Sequence, residues 1–189
     1  MEKGICLTGG MANMNGMSAY LKKYTGREDL KLIFSVILLG SLCHFLYDWS
    51  GHLALVALFC PVNESIWEHL KLLYFPFLLV SLLFHRHKIR QARFLYSRFL
   101  GVCCGMGSIL VLFYTYTGIT GQSFLPADLL IFCFSTIVSF FASSFFYHKL
   151  QGTPSLTTTV LLWAVLSFFF FFFTCYPPNL PLFFPPNIV

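Results

Sequence analysis

Pro61-Val-Asn-Glu-Ser-Ile-Trp-Glu-His-Leu-Lys-Leu-Leu-Tyr-Phe-Pro76 sets two carboxylates, a histidine and a lysine at the start of a long apolar run. The run continues to Phe84 and is long enough to cross a bilayer, for which roughly 20 apolar residues suffice. Ionisable groups inside such a segment are costly and face a cavity or one another. The stretch is therefore read as a membrane helix whose first turns carry whatever function the chain has.

The composition agrees. Of 189 residues, 57% are hydrophobic, 19% aromatic and only 10% charged. A soluble domain carries about 25% charged residues, so the expectation is an all-α polytopic membrane bundle forming one domain. The spans are expected at about Leu32–Tyr47, Ser65–Phe84, Phe99–Thr117, Pro126–Tyr147 and Leu156–Tyr176. The first is expected either to end near Tyr47 or to continue, bent at Ser50-Gly51, towards Phe59. Pro61 and Asn63 open the second as turn and cap signals, and Pro76 is expected to kink it. Six consecutive phenylalanines, 168–173, give the fifth span no preferred face and read as lipid-facing or packing aromatics.

Residues 1–29 are expected to form a flexible cytoplasmic segment, without the basic start and apolar run of a signal peptide. Residues 30–176 form the transmembrane domain and residues 177–189 a proline-rich outer tail. The tail holds five of the nine prolines and is expected to be extended, polyproline-like chain.

The net charge of +5 suggests an anionic partner, and position chooses which one. Lys22, Lys23, Arg27 and Lys31 precede the first span, and Arg86, Lys88, Arg90, Arg93 and Arg98 fill residues 85–98. With five spans these groups, and Lys149, fall on one side, which the positive-inside rule makes the cytoplasm. No nucleic-acid motif accompanies them; the expected partner is the lipid bilayer, with a homo-oligomer also open. The seven cysteines have no metal or redox spacing and read as small apolar residues.

On a helix Glu64, Glu68 and Lys71 share one stripe, with His69 about 100° away. His44, Tyr47 and Asp48 form a second polar stripe near the end of span one, joined to the first by a short connection. The two stripes are expected to meet at the outer leaflet.

Three readings stay open. In one, the polar groups are a mutually satisfied structural network joining the helices of a partner-binding membrane subunit. In a second they are an enzyme or ligand-binding site. Glu64, Glu68 and His69 are then the catalytic candidates, and Tyr47, Asn63, Trp67 and Lys71 form the pocket, with Trp67 as its wall and Lys71 holding a carboxylate ionised. His44 and Asp48, with Glu68 or His69, offer ligands for a divalent metal, though no H-E-x-x-H spacing is present. In a third, the carboxylates and Lys71 form a proton or cation relay in a homodimeric transporter. Asp128 opens the fourth span on the same side and is read as dipole-stabilised, with membership of the outer cluster open. Gly101, Gly105 and Gly107, with Cys104 and Ser108, read as a small-residue packing face.

His44-Phe-Leu-Tyr-Asp48-Trp-Ser-Gly51, followed by Asn63-Glu-Ser-x-Trp-Glu-His-x-Lys71, resembles a family of small bacterial integral membrane proteins catalogued as domain of unknown function 6512. The closing Asn179-Leu-Pro-Leu-Phe183 is similar to that family's C-terminal motif. The resemblance runs from about residue 30 to 184 and implies location and architecture without an activity. Where the family pattern continues with a polar or acidic residue and a proline, this chain has Phe184-Pro-Pro.

Overall fold

The computed structural model describes residues 27–185. These residues are helical, with no strand among them. We label the helices α1 (Arg27–Trp49), α2 (Ala54–Phe59), α3 (Ile66–Phe84), α4 (Ala92–Thr120), α5 (Leu125–Lys149) and α6 (Leu156–Cys175). Short 3-10 turns lie at Arg86–Lys88 and Pro181–Phe183. All except α2 are long and apolar enough to cross a membrane. A helix satisfies its own backbone groups, which is what hydrocarbon demands of a spanning segment.

The bundle is built around α3. In its apolar window 61% of residues are buried, against 33% or fewer in each of the other four long helices. It packs on α1 and α4, while α5 pairs with α4 along most of their length and also touches α1. Leu73, Tyr74, Phe77 and Val80 of α3 form the centre of the core. Tyr74 donates its hydroxyl to the carbonyl of Trp163 at 2.9 Å, and Trp163 donates its indole N–H to the carbonyl of Leu95 at 3.2 Å. These two bonds tie α3, α6 and α4 through the core.

The α4–α5 pairing rests on small residues. A Cβ built on Gly101 would overlap the Ser143 hydroxyl and sit 2.5 Å from the Ser139 carbonyl. One built on Gly105 would overlap the Ser139 hydroxyl and sit 2.8 Å from the Ser135 carbonyl. Of the expected small-residue face, Gly101 and Gly105 therefore make the close contact, while Gly107 has open space beside it. The reason is phase: positions four apart share a face, and Gly107 is turned away.

The first span ends at Trp49, the nearer of its two expected ends, and the chain turns through Gly51 and His52, both at positive φ, before the separate α2. Two other features differ from the expected ones. The third span begins at Ala92, so residues 92–98 are helix. Arg93 donates to the carbonyls of Tyr147 and Leu150 at 2.7 and 2.8 Å, capping α5. Arg98 is buried over the rings of Phe140, Phe94 and Phe77, 4.9–5.7 Å from their centroids. The tail contains a 3-10 turn and packs Phe183 against Trp67 and Phe173. The phenylalanine run serves both roles: Phe170 is fully buried against Trp67 and Tyr74, while Phe168 and Phe172 are exposed. The expected flexible start falls outside the described residues up to position 26; Arg27–Asp29 already belong to α1.

Candidate functional site

The local chemistry of residues 62–71 positions the site. Asn63 Oδ1 accepts the Ser65 N–H at 2.9 Å, an Asx turn that aims the chain into α3. Ser65 is the N-cap, its hydroxyl oxygen accepting the Glu68 N–H at 3.3 Å. Glu68 turns back to accept the Val62 N–H at 3.0 Å, a variant of the capping box. The cap is thus Ser65, and Glu64 lies before the helix.

Glu68 and Lys71 form a closed pair. Their charged atoms are 2.7 Å apart, and the side chains are 3% and 0% exposed. Lys71 also donates to the Ala57 carbonyl at 2.9 Å, and Glu68 accepts from the Thr174 hydroxyl at 3.2 Å. The pair therefore joins α2, α3, α6 and the 60–65 connection. Trp67 stands beside it, stacked among Phe170, Phe173 and Phe183. Its indole N–H has no partner among the described residues.

Glu64 and His69 belong to a different group. Glu64 Oε2 is 3.3 Å from His69 Nε2. The ring's other nitrogen, Nδ1, lies 2.9 Å from the Ser65 carbonyl. A carbonyl only accepts, so Nδ1 carries the proton and Nε2 is the atom turned to Glu64. The His69 ring holds the Glu64 carboxyl below the usual carboxylate range, against the opposing effect of partial burial. His44 of α1 completes the group, its ring centroid 5.4 Å from that of His69. Its Nδ1 is buried and has no hydrogen-bond partner among the described residues. One ligand atom from each of His44, Glu64 and His69 lies within 4.8 Å of the other two.

The approach of α1 to α3 makes this meeting possible. A Cβ on Gly40 would lie 2.6 Å from the carbonyl oxygen of Leu72. Gly40 is one helical turn before His44, and Leu72 nearly one turn after His69, so the same close contact brings the two imidazoles together.

A cavity of about 380 Å³ opens beside these groups. His44, Glu64, His69 and Asp128 are its ionisable lining; Ile109, Phe113, Ile131 and Phe132 provide much of its apolar wall. Asp128 accepts a hydrogen bond from the Tyr116 hydroxyl, which in turn accepts the Phe124 N–H at 3.2 Å. Pro185 of the tail reaches the rim.

The expected residues thus divide. His44, Glu64 and His69 meet; Glu68 and Lys71 pair separately; Asn63 shapes the turn; Trp67 walls the buried pair and does not line the cavity. Asp48 pairs with His52 at 3.2 Å, and Tyr47 packs edge-on against the His52 ring. Neither joins the His44 group. Asp128, whose membership was open from the sequence, lines the cavity with this group; Tyr116, Ser123 and Gly40 were not among the expected residues. The short 121–124 connection was the available signal, because it returns α5 to the end where α3 begins.

A family model described as a family of unknown function, DUF6512, matches residues 20–187. No curated protein and no solved structure matches the chain. With nearly its whole length covered by that match, the chain belongs to the DUF6512 family of unknown function.

Proposed function

We propose that the chain is a multi-pass cell-membrane protein that binds an amphiphilic small molecule at its outer face, in the cavity between α1, α3, α4 and α5. The observation that carries this reading is the cavity itself. Its volume of about 380 Å³ lies within the roughly 300–1,000 Å³ range of small-molecule sites. Its lining is mostly apolar with four ionisable side chains at one end, which suits a polar head joined to an apolar body. The basic residues at 86–90, 93 and 98 collect at the opposite end of the bundle, supporting a cytoplasmic position for that end.

The Glu68–Lys71 pair has a different role, as a structural joint. Each charged group is enclosed and hydrogen-bonded to neighbouring elements. A proton or cation relay is less well supported, because Glu64 and Glu68 face different surroundings.

The test is thermal stabilisation of the purified full chain by a panel of single-chain amphiphiles with anionic, cationic and neutral heads. Stabilisation by one head class is expected, and Ile131→Trp, on the half-buried cavity wall, is expected to remove it. No stabilisation by any head class, or stabilisation unchanged by Ile131→Trp, overturns the reading.

A further inference from the structure

We propose that His44, Glu64 and His69 bind one divalent transition-metal ion, zinc being the ion their donors fit best. This deepens the cavity reading, since the ion would sit at the polar end of the same site and rests on that placement.

Three observations converge. The first is spacing. Tetrahedral zinc at about 2.0–2.1 Å from nitrogen and oxygen ligands holds them roughly 3.3–3.4 Å from one another. His69 Nε2 and Glu64 Oε2 are already 3.3 Å apart, and the full set lies within 4.8 Å. A small inward movement of His44 closes the set.

The second is the proton arrangement. The Ser65 carbonyl takes the Nδ1–H of His69, so whenever the ring is neutral its Nε2 lone pair faces the lone pairs of the Glu64 carboxylate. Two acceptors at that distance repel unless a cation stands between them. Metal-bound histidines commonly give their second N–H to a backbone carbonyl in this way, which orients the ring and raises its basicity. A proton on Nε2 is the rival cation, and the experiment separates the two.

The third is His44. A buried imidazole nitrogen without a partner is costly, and ligation through Nδ1 would supply the missing interaction. Two nitrogens and one carboxylate oxygen select a borderline ion such as zinc over calcium or magnesium, which prefer all-oxygen surroundings. Three protein ligands leave a fourth position, and the cavity adjoins it.

The experiment uses the full chain, purified in detergent, stripped with chelator and then titrated with zinc chloride against a chromophoric chelator. Binding of about one zinc per chain is expected. His44→Ala, Glu64→Gln and His69→Ala should each weaken it by more than about tenfold, while His52→Ala in the separate Asp48 pair leaves it unchanged. Cobalt substitution gives an independent readout, the visible absorption of a four-coordinate ion, and should be lost in His69→Ala. Size-exclusion profiles identify variants that fail to fold, and for those the cobalt spectrum of the wild-type chain decides.

No zinc bound and no four-coordinate cobalt spectrum would overturn the inference and leave the protonated His69–Glu64 pair. Zinc binding that survives all three substitutions would overturn it too. Ile131→Trp distinguishes the two readings of the site: it should abolish amphiphile binding and retain zinc. Zinc without any amphiphile binding supports the metal and ends the cavity reading, and amphiphile binding without zinc does the reverse.

Discussion

Gly40 lies against the carbonyl oxygen of Leu72, close enough that a Cβ on the glycine would come within 2.6 Å of it. Pro76, four residues beyond Leu72, has no N–H to give that carbonyl. The proline thus releases a backbone acceptor where the glycine lets another helix approach it. Gly40→Ala should push α1 away from α3, since the atom it meets is backbone and cannot swing aside. The expected cost is about 1–3 kcal/mol, measured by denaturant unfolding in detergent. Amphiphile or zinc binding through His44 should weaken alongside.

Breaking the Glu68–Lys71 pair is expected to be far more damaging than altering Glu64. Glu68→Gln or Lys71→Met leaves a buried charge without its partner, a loss of roughly 3–5 kcal/mol. The double variant should recover part of that loss, because neither charge then remains to be solvated. Glu64 is 68% exposed, so Glu64→Gln should change stability by less than about 1 kcal/mol. Equal effects from Glu64 and Glu68 would contradict the division of the two carboxylates.

The α4–α5 contact predicts a sharp contrast among glycines. Gly101→Ala and Gly105→Ala should each destabilise by about 1–3 kcal/mol, as overpacking does. Gly107→Ala should be neutral or slightly stabilising, since nothing stands beside that position and alanine is the better helix former. Thermal melting of the three variants checks this directly.

His85, just past the end of α3, gives a pH dependence. Burial, then the positive charge of Arg98 on α4, depresses its pKa to about 4. Lys88 and His87 beside it act in the same direction, and Asp29 of α1 opposes them. The unfolded chain takes up the proton near pH 6.5 and the folded chain only near 4. Stability is therefore complete above about pH 6.5 and falls as pH drops from there towards 4. Melting temperature followed across that window should show the decline, and His85→Gln should flatten it.

Orientation is checked with single cysteines placed at Gln91, Gln122 and Asn179 in a chain whose exposed Cys104 and Cys175 are serine. A membrane-impermeant thiol reagent applied to intact cells should label positions 122 and 179 and spare 91. The opposite pattern would invert the proposed topology and move the cavity to the cytoplasmic face.

Five apolar stretches of spanning length, separated by breaks that hydrogen-bonding and charge demand, were legible in the residues alone. So were the family motif, the turn at Asn63 and the polar character of positions 44–71. Local chemistry specifies these features, because each depends on neighbours a few residues away. Tertiary structure decided who meets whom. Helical periodicity places Glu64, Glu68 and Lys71 on a stripe only if the helix includes them all. Capping at Ser65 puts Glu64 outside the helix, and the stripe divides into an open cavity edge and a closed ion pair. Arg98 likewise reads as a loop charge until Phe77, Phe94 and Phe140 from three helices surround it. A cavity belongs to no single segment. It exists because Gly40 lets α1 approach α3 while α4 and α5, drawn together at Gly101 and Gly105, return Asp128 to the same end.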